Sequence, residues 1–443
     1  MTLPSNFIRS LSIVCLGILS ICISTAAQSE NCLSFLSNLT QANMLAPAKN
    51  LIKDPKTYIL PATPATAQWG VYDSNQAPVL TINSGDTVII ETMAASDNQV
   101  VPGATIDQVM QIQHAVEGRG PHTLTGPIYI KEAEPGDVLR IHFNKIIPRS
   151  YASNNSGYNK GLFPKEFPNP FVKYFYLDVQ KKQMQFAPGI VVPIAPFPGI
   201  VAVERAEPGK YDSIPPGPFG GNMDLREMTE GSTLYLPVFV KGGLVWTGDS
   251  HAGQGNGEID LTAIETAFQD FNVTIDVIKN KPLTWPRVET PTAWIAVGYD
   301  KDLNKALDIL KDETIKLIME QQNVSHNAAE KIMFETWNCP IAEVVNGVNG
   351  VYCMVPKHGK ARPALPKTDN ATFFVTYAKD PNLEEAMKKA SMAMINKIVT
   401  IKKLSPIDAY MLASFTMDCR IGLYKSGDKE VHCMMAKNLW TSS

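Results

Sequence analysis

The sequence predicts a mainly β protein, a β-sandwich or barrel, followed by an α+β C-terminal portion. From Trp69 to about Pro286, short runs rich in β-branched residues alternate with turns rich in Gly and Pro, as in sandwiches and barrels. After Pro286 the apolar residues recur at helical spacing. The 443 residues are too many for one small domain and enough for a large core.

Residues 1–27 are predicted to be a secretory signal peptide. Arg9 precedes a short apolar run from Leu11, and small residues follow at Ser24–Ala27, which is the pattern of a cleaved signal. The run is too short for a comfortable membrane span, and the alternative is an uncleaved N-terminal anchor. Because of this signal, we expect a secreted or periplasmic protein. Residues 28–67, which follow it, are polar with scattered Pro and are predicted to be an irregular N-terminal arm.

The β domain is predicted to span residues 68–290. Val79–Thr92 contains two β-rich segments about a Ser-Gly-Asp turn. At Val138–Phe143 apolar residues alternate with polar ones, as expected for a strand with one buried face. A turn followed by a strand recurs at Glu230–Leu236, and apolar residues again alternate with polar ones at Phe271–Val277.

The C-terminal portion is predicted to contain a helix–helix–hairpin unit twice, at 291–357 and 374–443, joined by a polar linker at 358–373. Each copy has an interval of 14 residues between a Ser and a Cys, and Gly350–Lys357 matches Glu430–Lys437. Matching intervals and flanking residues of this kind indicate an internal duplication.

Four cysteines form two pairs with the same separation of 14 residues, Cys339 with Cys353 and Cys419 with Cys433. In an oxidising compartment each pair could be a disulfide. The alternative is that all four are small core residues in matching places. Cys32 remains without a counterpart in this pattern.

Several function classes are not expected from the composition and motifs. The net charge of −3 and the lack of a basic run give no reason to expect nucleic-acid binding. The sequence has no G-x-S-x-G elbow, no H-E-x-x-H and no P-loop. Between the signal and Cys339 the only cysteine is Cys32, so a thiol nucleophile in the β domain is not expected.

The chemistry of the chain concentrates in the glycine-rich stretch Gly248–Glu258, preceded by a second glycine cluster at Gly220–Asp224. Asp249 and His251 are two residues apart and would point to the same side of an extended chain. Glu258 could return to them if the glycine-rich segment is a loop. An Asp/His/Glu set suits a divalent metal. The alternative is a glycine-rich turn whose His only forms hydrogen bonds.

His122 is a further candidate because it lies at a loop-to-strand junction close to Gly residues. Its alternative is a surface or hydrogen-bonded loop histidine. His142 lies in an alternating strand and is interpreted as structural. A divalent metal at the Asp/His/Glu set would activate water and polarise a carbonyl group, and a nearby carboxylate could take the proton of the water. This chemistry permits hydrolysis of an amide or an ester.

A series of motifs runs along the chain at Leu124–Tyr129, Ala133–Leu139, Pro215–Gly217, Gly220–Asp224, Gly231–Pro237 and Gly248–Glu258. Together these motifs resemble those of the acetamidase/formamidase family. The resemblance extends from about Trp69 to Lys357. It implies a jelly-roll-like β-sandwich with an α+β portion and hydrolysis of short linear amides to carboxylate and ammonia. It also implies a bound metal, with zinc or calcium as the candidates.

The resemblance marks a set of candidate site residues, Asn222, Asp224, Asp249, His251 and Glu258, with His122 as a further metal candidate. Asp249 and His251 are expected to be metal ligands. Glu258 is expected to be a third ligand or the base. Asn222 or Asp224 would orient the substrate amide.

The chain departs from the family pattern at two places. Asn256 occupies a position where many members have Asp, and the second C-terminal copy is additional. These departures leave open a non-catalytic jelly-roll binding protein that has kept the cleft. They also leave open a duplicated unit that serves homodimerisation. The expected partners are a small amide substrate and a second copy of the chain, with no nucleic acid and no membrane after signal cleavage.

Overall fold

The chain beyond the predicted N-terminal arm is built mainly from β-strands. The computed structural model describes residues 54–114, 119–358 and 364–441. The predicted signal peptide and most of the predicted arm lie outside these ranges. Strands make up 38% of the structure and helices 20%. The prediction of a mainly β fold with an α+β portion is therefore confirmed. The jelly-roll topology stays a prediction.

The strands are numbered in chain order. The first group consists of β1 (Thr57–Leu60), β2 (Ala67–Trp69), β3 (Val71–Asp73), β4 (Leu80–Ile82), β5 (Asp86–Ile90), β6 (Thr123–Ile130), β7 (Val138–Pro148), β8 (Tyr151–Ser156), β9 (Phe171–Asp178), β10 (Gln183–Ala187), β11 (Ile190–Pro193), β12 (Phe197–Ala202) and β13 (Lys210–Asp212). The second group consists of β14 (Gly220–Asn222), β15 (Thr233–Pro237), β16 (Val245–His251), β17 (Glu265–Thr266), β18 (Phe268–Ile278), β19 (Arg287–Glu289), β20 (Ala293–Asp300), β21 (Cys339–Pro340), β22 (Asn349–Pro356), β23 (Phe373–Asp380), β24 (Asp418–Ile421) and β25 (Lys429–Ala436).

Most of the helical residues that the structure describes lie in the C-terminal portion, in α2 (Leu303–Gln322), α3 (His326–Glu335), α4 (Leu383–Lys402) and α5 (Pro406–Thr416), whereas α1 (Ile106–His114) lies in the β domain. A short turn at Ala95–Asn98 contains left-handed residues, and a 3₁₀ turn lies at Lys437–Leu439. Within the described residues, no helix is both long enough and apolar enough to cross a bilayer.

Two large sheets pack face to face. One has the strand order β1-β5-β18-β7-β15-β19-β20-β22, and the other runs β11-β10-β9-β8-β17-β16-β12-β14 with β6 paired to β16. Phe143 and Phe271 from the first sheet share one buried core with Phe197 and Trp246 from the second. The contact of the two inner faces therefore makes the β domain a sandwich.

The alternation of apolar and polar residues determines which face of each strand is buried. In β7, Leu139, Ile141 and Phe143 are at most 1% exposed, whereas Arg140 and His142 between them are partly exposed. This confirms the strand predicted at Val138–Phe143. Burial of each such side chain contributes about 1.5–3 kcal/mol.

The last part of the predicted irregular arm is ordered. Thr57–Leu60 forms β1, which pairs in parallel with β5 at the edge of the first sheet. Leu60 is 3% exposed and belongs to the sandwich core. Tertiary pairing with β5 gives this short segment its structure, because a four-residue strand has little stability of its own.

The two C-terminal units have the same order of elements. In each, a helix of 20 residues is followed by a shorter helix and two strands. A disulfide joins Cys339 to Cys353 and another joins Cys419 to Cys433, with Cα atoms 4.1 Å apart in both. Strand β21 of the first unit pairs with β24 of the second, and the helices of both units contribute to one core.

Removal of the second disulfide is expected to destabilise the C-terminal portion. The Cys419→Ala, Cys433→Ala double variant should lose about 3 kcal/mol of unfolding free energy, as is usual for a closed loop of about 15 residues. Urea unfolding would be measured with and without dithiothreitol. The reductant should shift the midpoint of the wild type more than that of the double variant. Equal midpoints for both proteins without reductant would contradict this expectation.

Candidate functional site

The predicted site residues meet at a cavity of about 310 Å³, which is lined by residues of the second sheet and of the loops beside it. Its wall includes His122, Asn222, Asp249 and Glu258, which the sequence predicts, and Glu265, which it does not. Asp224 and His251 lie next to this wall and are 2% and 0% exposed. All six predicted residues are therefore brought to one region, although they come from separate segments of the chain.

Asp249 and His251 lie on β16 and their side chains meet, as their spacing predicts. Asp249 Oδ2 lies 3.2 Å from His251 Nε2. The neighbouring strand β12 places Gly199 between Pro198 and Ile200, which pair with Ser250 and Gly248. A methyl group on Gly199 would overlap Asp249 Oδ2 and lie 2.8 Å from Asp224 Oδ1 and His251 Cε1. Glycine at this position thus leaves the room that the polar side chains occupy.

Asn222 and Asp224 approach from the end of β14. The Met223 amide donates to the carbonyl of Gly199 at 3.0 Å, and Tyr299 Oη donates to the Met223 carbonyl at 2.7 Å. These bonds hold the backbone of this segment against β12. Asp224 Oδ1 lies 3.8 Å from His251 Nδ1, so this carboxylate faces the second nitrogen of the same ring.

Glu265 is a site residue that the sequence analysis missed. It lies opposite His251 in the pairing of β17 with β16, and its Oε1 lies 3.3 Å from His251 Nε2. The Ala263 amide donates to the same oxygen at 2.8 Å. A carboxylate 14 positions after His251 has no local signal, since only the strand pairing brings it opposite the ring.

Two groups of side chains have the geometry to hold a metal ion, Asp224 with Asp249 and His251, and His251 with Glu258 and Glu265. Within each group one ligand atom per residue lies within 4.8 Å of the others. The groups share His251, so this imidazole is the centre of the donor set. His122 lies outside both groups, and its assignment as a ligand stays a prediction.

His122 nevertheless lies beside the donor set. Its Nε2 is 3.8 Å from Asp249 Oδ1, and its Nδ1 is 2.9 Å from Ser213 Oγ. The residue is 9% exposed and lines the cavity. The contact with Ser213 orients the His122 ring so that its other nitrogen faces the Asp249 carboxylate. Hydrogen bonds from neighbouring residues commonly orient the ligands of a metal site in this way.

Unpartnered buried atoms test whether a cation suits the donor set. Asp224 Oδ1 and both ring nitrogens of His251 are buried, and among the described residues none of them has a partner with hydrogen-bond geometry. The contacts of His251 Nε2 with Asp249 and Glu265 lie within ion-pair distance only. Buried polar atoms are normally paired. The unpartnered imidazole nitrogens and Asp224 oxygen, with the other carboxylates of the two groups around them, therefore fit a divalent cation.

The acidic groups perturb one another strongly. Burial, followed by the charge of Asp249, raises the pKa of Asp224 to about 8. Burial and Asp224 raise the pKa of Glu258 well above its ordinary value. Burial alone would raise the pKa of Asp249, but the charges of His251 and His122 outweigh it and lower that pKa to about 2. Burial is the largest cause of both raised pKa values, and repulsion between the carboxylates adds to it. A bound cation would relieve that repulsion.

Three of the acidic residues have left-handed backbone conformations. The φ angles are 45° at Asp224, 52° at Asp249 and 49° at Glu258. Non-glycine residues seldom adopt this region, and each instance costs on the order of 1–3 kcal/mol. Such conformations persist where the surrounding structure imposes them, and they cluster at functional sites.

Asn346 and Glu343 are two further polar residues that the sequence did not indicate. Asn346 lines the cavity and its Nδ2 donates to Asp224 Oδ2 at 2.5 Å. Glu343 is fully buried, and burial together with Asp224 raises its pKa well above the ordinary value. Both belong to the turn between β21 and β22, so the first C-terminal unit completes the site.

The chain is similar in sequence to proteins named acetamidase and formamidase. It is 27% identical to an acetamidase of Mycolicibacterium smegmatis over 274 residues, which cover 48% of this chain and 66% of that protein. It is 28% identical to a formamidase of Methylophilus methylotrophus over 276 residues, again 48% of this chain and 66% of that protein. These matches span just under two thirds of the length of the relatives.

The fold is also similar to solved structures. An acetamidase from Yersinia enterocolitica superposes with a TM-score of 0.63 at 26% identity, covering 72% of this chain and 97% of that chain. The sequence model of the acetamidase/formamidase family matches residues 68–211 and 201–295, together more than half of the 443 residues. These matched segments contain Asn222, Asp224, Asp249, His251 and Glu258. The chain belongs to the acetamidase/formamidase family.

Proposed function

We propose that this protein is an exported, metal-dependent hydrolase of short linear amides, which it converts to carboxylate and ammonia. The observation that carries the proposal is the buried donor set around His251, which borders a 310 Å³ cavity. The similarity to proteins named acetamidase and formamidase supports the amide as substrate.

The residues proposed to hold the metal are Asp224, Asp249, His251, Glu258 and Glu265. Zinc is the first candidate and calcium the second, because the central imidazole is a ligand of transition metals, whereas calcium takes oxygen ligands. When bound, such an ion would polarise the amide carbonyl and make water a better nucleophile at neutral pH.

The polar residues at the cavity are proposed to bind and orient the amide. Asn222 Oδ1 is buried without a hydrogen-bond partner among the described residues, so it can accept an N–H of the substrate. Asn346 holds the carboxylate of Asp224 in place. Glu258 lines the cavity. As the alternative to its role as a metal ligand, it is proposed as the base that takes a proton from water and returns it to the departing nitrogen.

Export is supported by two independent features. Residues 1–27 have the pattern of a signal peptide, and the C-terminal units contain two disulfides, which persist in oxidising compartments. Homodimer formation stays a prediction of the sequence analysis.

Elemental analysis combined with an ammonia assay would test the proposed function. The purified full-length protein should contain close to one equivalent of a divalent metal and should release ammonia from formamide, acetamide or propionamide. A chelator should abolish this release, and the metal found by elemental analysis should restore it. If the protein holds a metal and is thermally stabilised by amides without releasing ammonia, it is the non-catalytic binding protein instead.

A further inference from the structure

The glycine-rich loop that carries Glu258 is bound by the second C-terminal unit. The Gly255 amide donates to the Ser414 carbonyl and the Asn256 amide to the Met417 carbonyl, both at 2.7 Å. Ser414 and Met417 lie at the C-terminal end of α5, where backbone carbonyls lack partners within the helix. The loop thus supplies the donors that this helix end requires.

Side chains extend the same contact on both sides of Glu258. Asn256 Oδ1 accepts from the Cys419 amide at 3.0 Å, and Tyr410 Oη donates to the Ile259 carbonyl. The Asp260 amide donates to Ser414 Oγ at 3.2 Å. The residues before and after Glu258 are therefore both attached to α5 or β24.

The first C-terminal unit holds the loop from another direction. The Gly257 amide donates to the Ala342 carbonyl at 3.0 Å, and the Val344 amide donates to the Gly257 carbonyl at 3.1 Å. Asn256 Nδ2 lies 3.3 Å from Tyr352 Oη. Glu258, with its left-handed backbone, therefore lies in a loop attached to both copies of the duplicated unit.

The contact also explains why Asn suits position 256. The side chain is 1% exposed and lies beside the C-terminal end of α5, which carries partial negative charge. Tyr352, its other neighbour, donates to Glu227. A carboxylate at position 256 could still accept from the Cys419 amide, but it could not donate to Tyr352 Oη as the Asn256 amide does.

We propose that the second C-terminal unit is a positioning element for the site: through α5 and β24 it fixes the Gly255–Asp260 loop and thereby the backbone of Glu258. Asn256 is the loop residue through which this unit acts most directly, since both its backbone amide and its side chain bond to the unit. This inference rests on the proposed function for the role of Glu258 in catalysis. It gives the second copy a role within its own chain, apart from any role in homodimerisation.

A matched pair of glycine substitutions tests the proposal. A methyl group on Gly255 would lie 2.7–2.9 Å from backbone atoms of Ala413, Ser414 and Met417. Two residues earlier, a methyl group on Gly253 would meet its nearest atom, Ile264 Cδ1, at 3.5 Å. Neither glycine has a left-handed φ, so the two substitutions differ mainly in their contact with the second unit.

The expected result is a local change in Gly255→Ala and in Asn256→Ala. Amide hydrogen exchange of a peptide spanning 253–262 should become faster in both variants, while exchange in β7 and β18 stays as in the wild type. The kcat for ammonia release should fall about 10- to 100-fold, as small misplacements of catalytic groups do, with KM changed less than about twofold. Gly253→Ala should match the wild type in both measurements.

The exchange measurement separates this inference from the proposed function. Suppose that neither the wild type nor any variant releases ammonia, but amide exchange of the 253–262 peptide rises only in Gly255→Ala and Asn256→Ala. The loop is then fixed as proposed, and the amidase assignment fails. If the wild type is active and Gly255→Ala matches Gly253→Ala in exchange and kcat, the positioning role is overturned. Should Gly255→Ala unfold, the comparison of Asn256→Ala with the wild type decides by the same criteria.

Discussion

His251→Ala should strongly reduce both metal binding and ammonia release. His251 belongs to both groups of candidate ligands, so its removal leaves the carboxylates of both groups without the imidazole that they share. Mutation of residues that only hydrogen-bond to the metal ligands already lowers metal affinity about 10- to 100-fold. Loss of the ligand shared by both groups should lower it more. We expect kcat/KM for a short amide to fall by on the order of 10³-fold, which is the upper range for one preorganised electrostatic group.

His142→Ala is the matched control for this experiment. His142 lies on β7 of the other sheet, away from the buried face, and its Nδ1 contacts Thr233 Oγ1 at 2.9 Å. This variant should keep the metal content and activity of the wild type. His251→Asn repeats the test with a polar side chain if the alanine variant does not fold. Full activity in a folded His251 variant would contradict the proposed donor set.

Gly199→Ala should weaken the site almost as strongly without removing any ligand. The added methyl group would overlap the Asp249 carboxylate and approach Asp224 and His251. Because the φ angle of Gly199 is not left-handed, the backbone accepts Ala, and the side chains must move. We expect metal affinity, measured by competition with a chelator, to fall about 10- to 100-fold and stability to fall by about 1–3 kcal/mol.

Gly253→Ala is the control here as well, because its methyl group would meet only ordinary contacts. It should retain the metal affinity and thermal midpoint of the wild type within error. If Gly199→Ala and Gly253→Ala bind metal equally well, the room at Gly199 is not what shapes the cluster.

Local sequence signals predicted a large part of this site. The two-residue spacing of Asp249 and His251 on a strand brings their side chains together at 3.2 Å, as the alternation of strand residues requires. Glu258 returns to His251 through a loop in which glycines permit close backbone contacts. The residues of the Gly220–Asp224 cluster also reach the cavity region, although the spacing in sequence does not specify how they approach.

Long-range contacts account for what the sequence did not predict. Glu265 reaches His251 through the pairing of β17 with β16, and Asn346 reaches Asp224 from the first C-terminal unit. The strand β1 forms only because β5 offers an edge to it. No local sequence pattern indicates any of these contacts, because each contact joins segments that are distant in the sequence.

The sequence by itself determined the mainly β class, the duplicated unit, and the acidic and imidazole side chains that could hold a metal, because strand alternation, helical spacing and glycine placement are properties of neighbouring residues. The tertiary structure decided which carboxylates surround His251, that both cysteine pairs are disulfides, and that α5 and β24 bind the Glu258 loop. These outcomes depend on which surfaces meet when the apolar faces are buried, and that information is distributed over the whole chain.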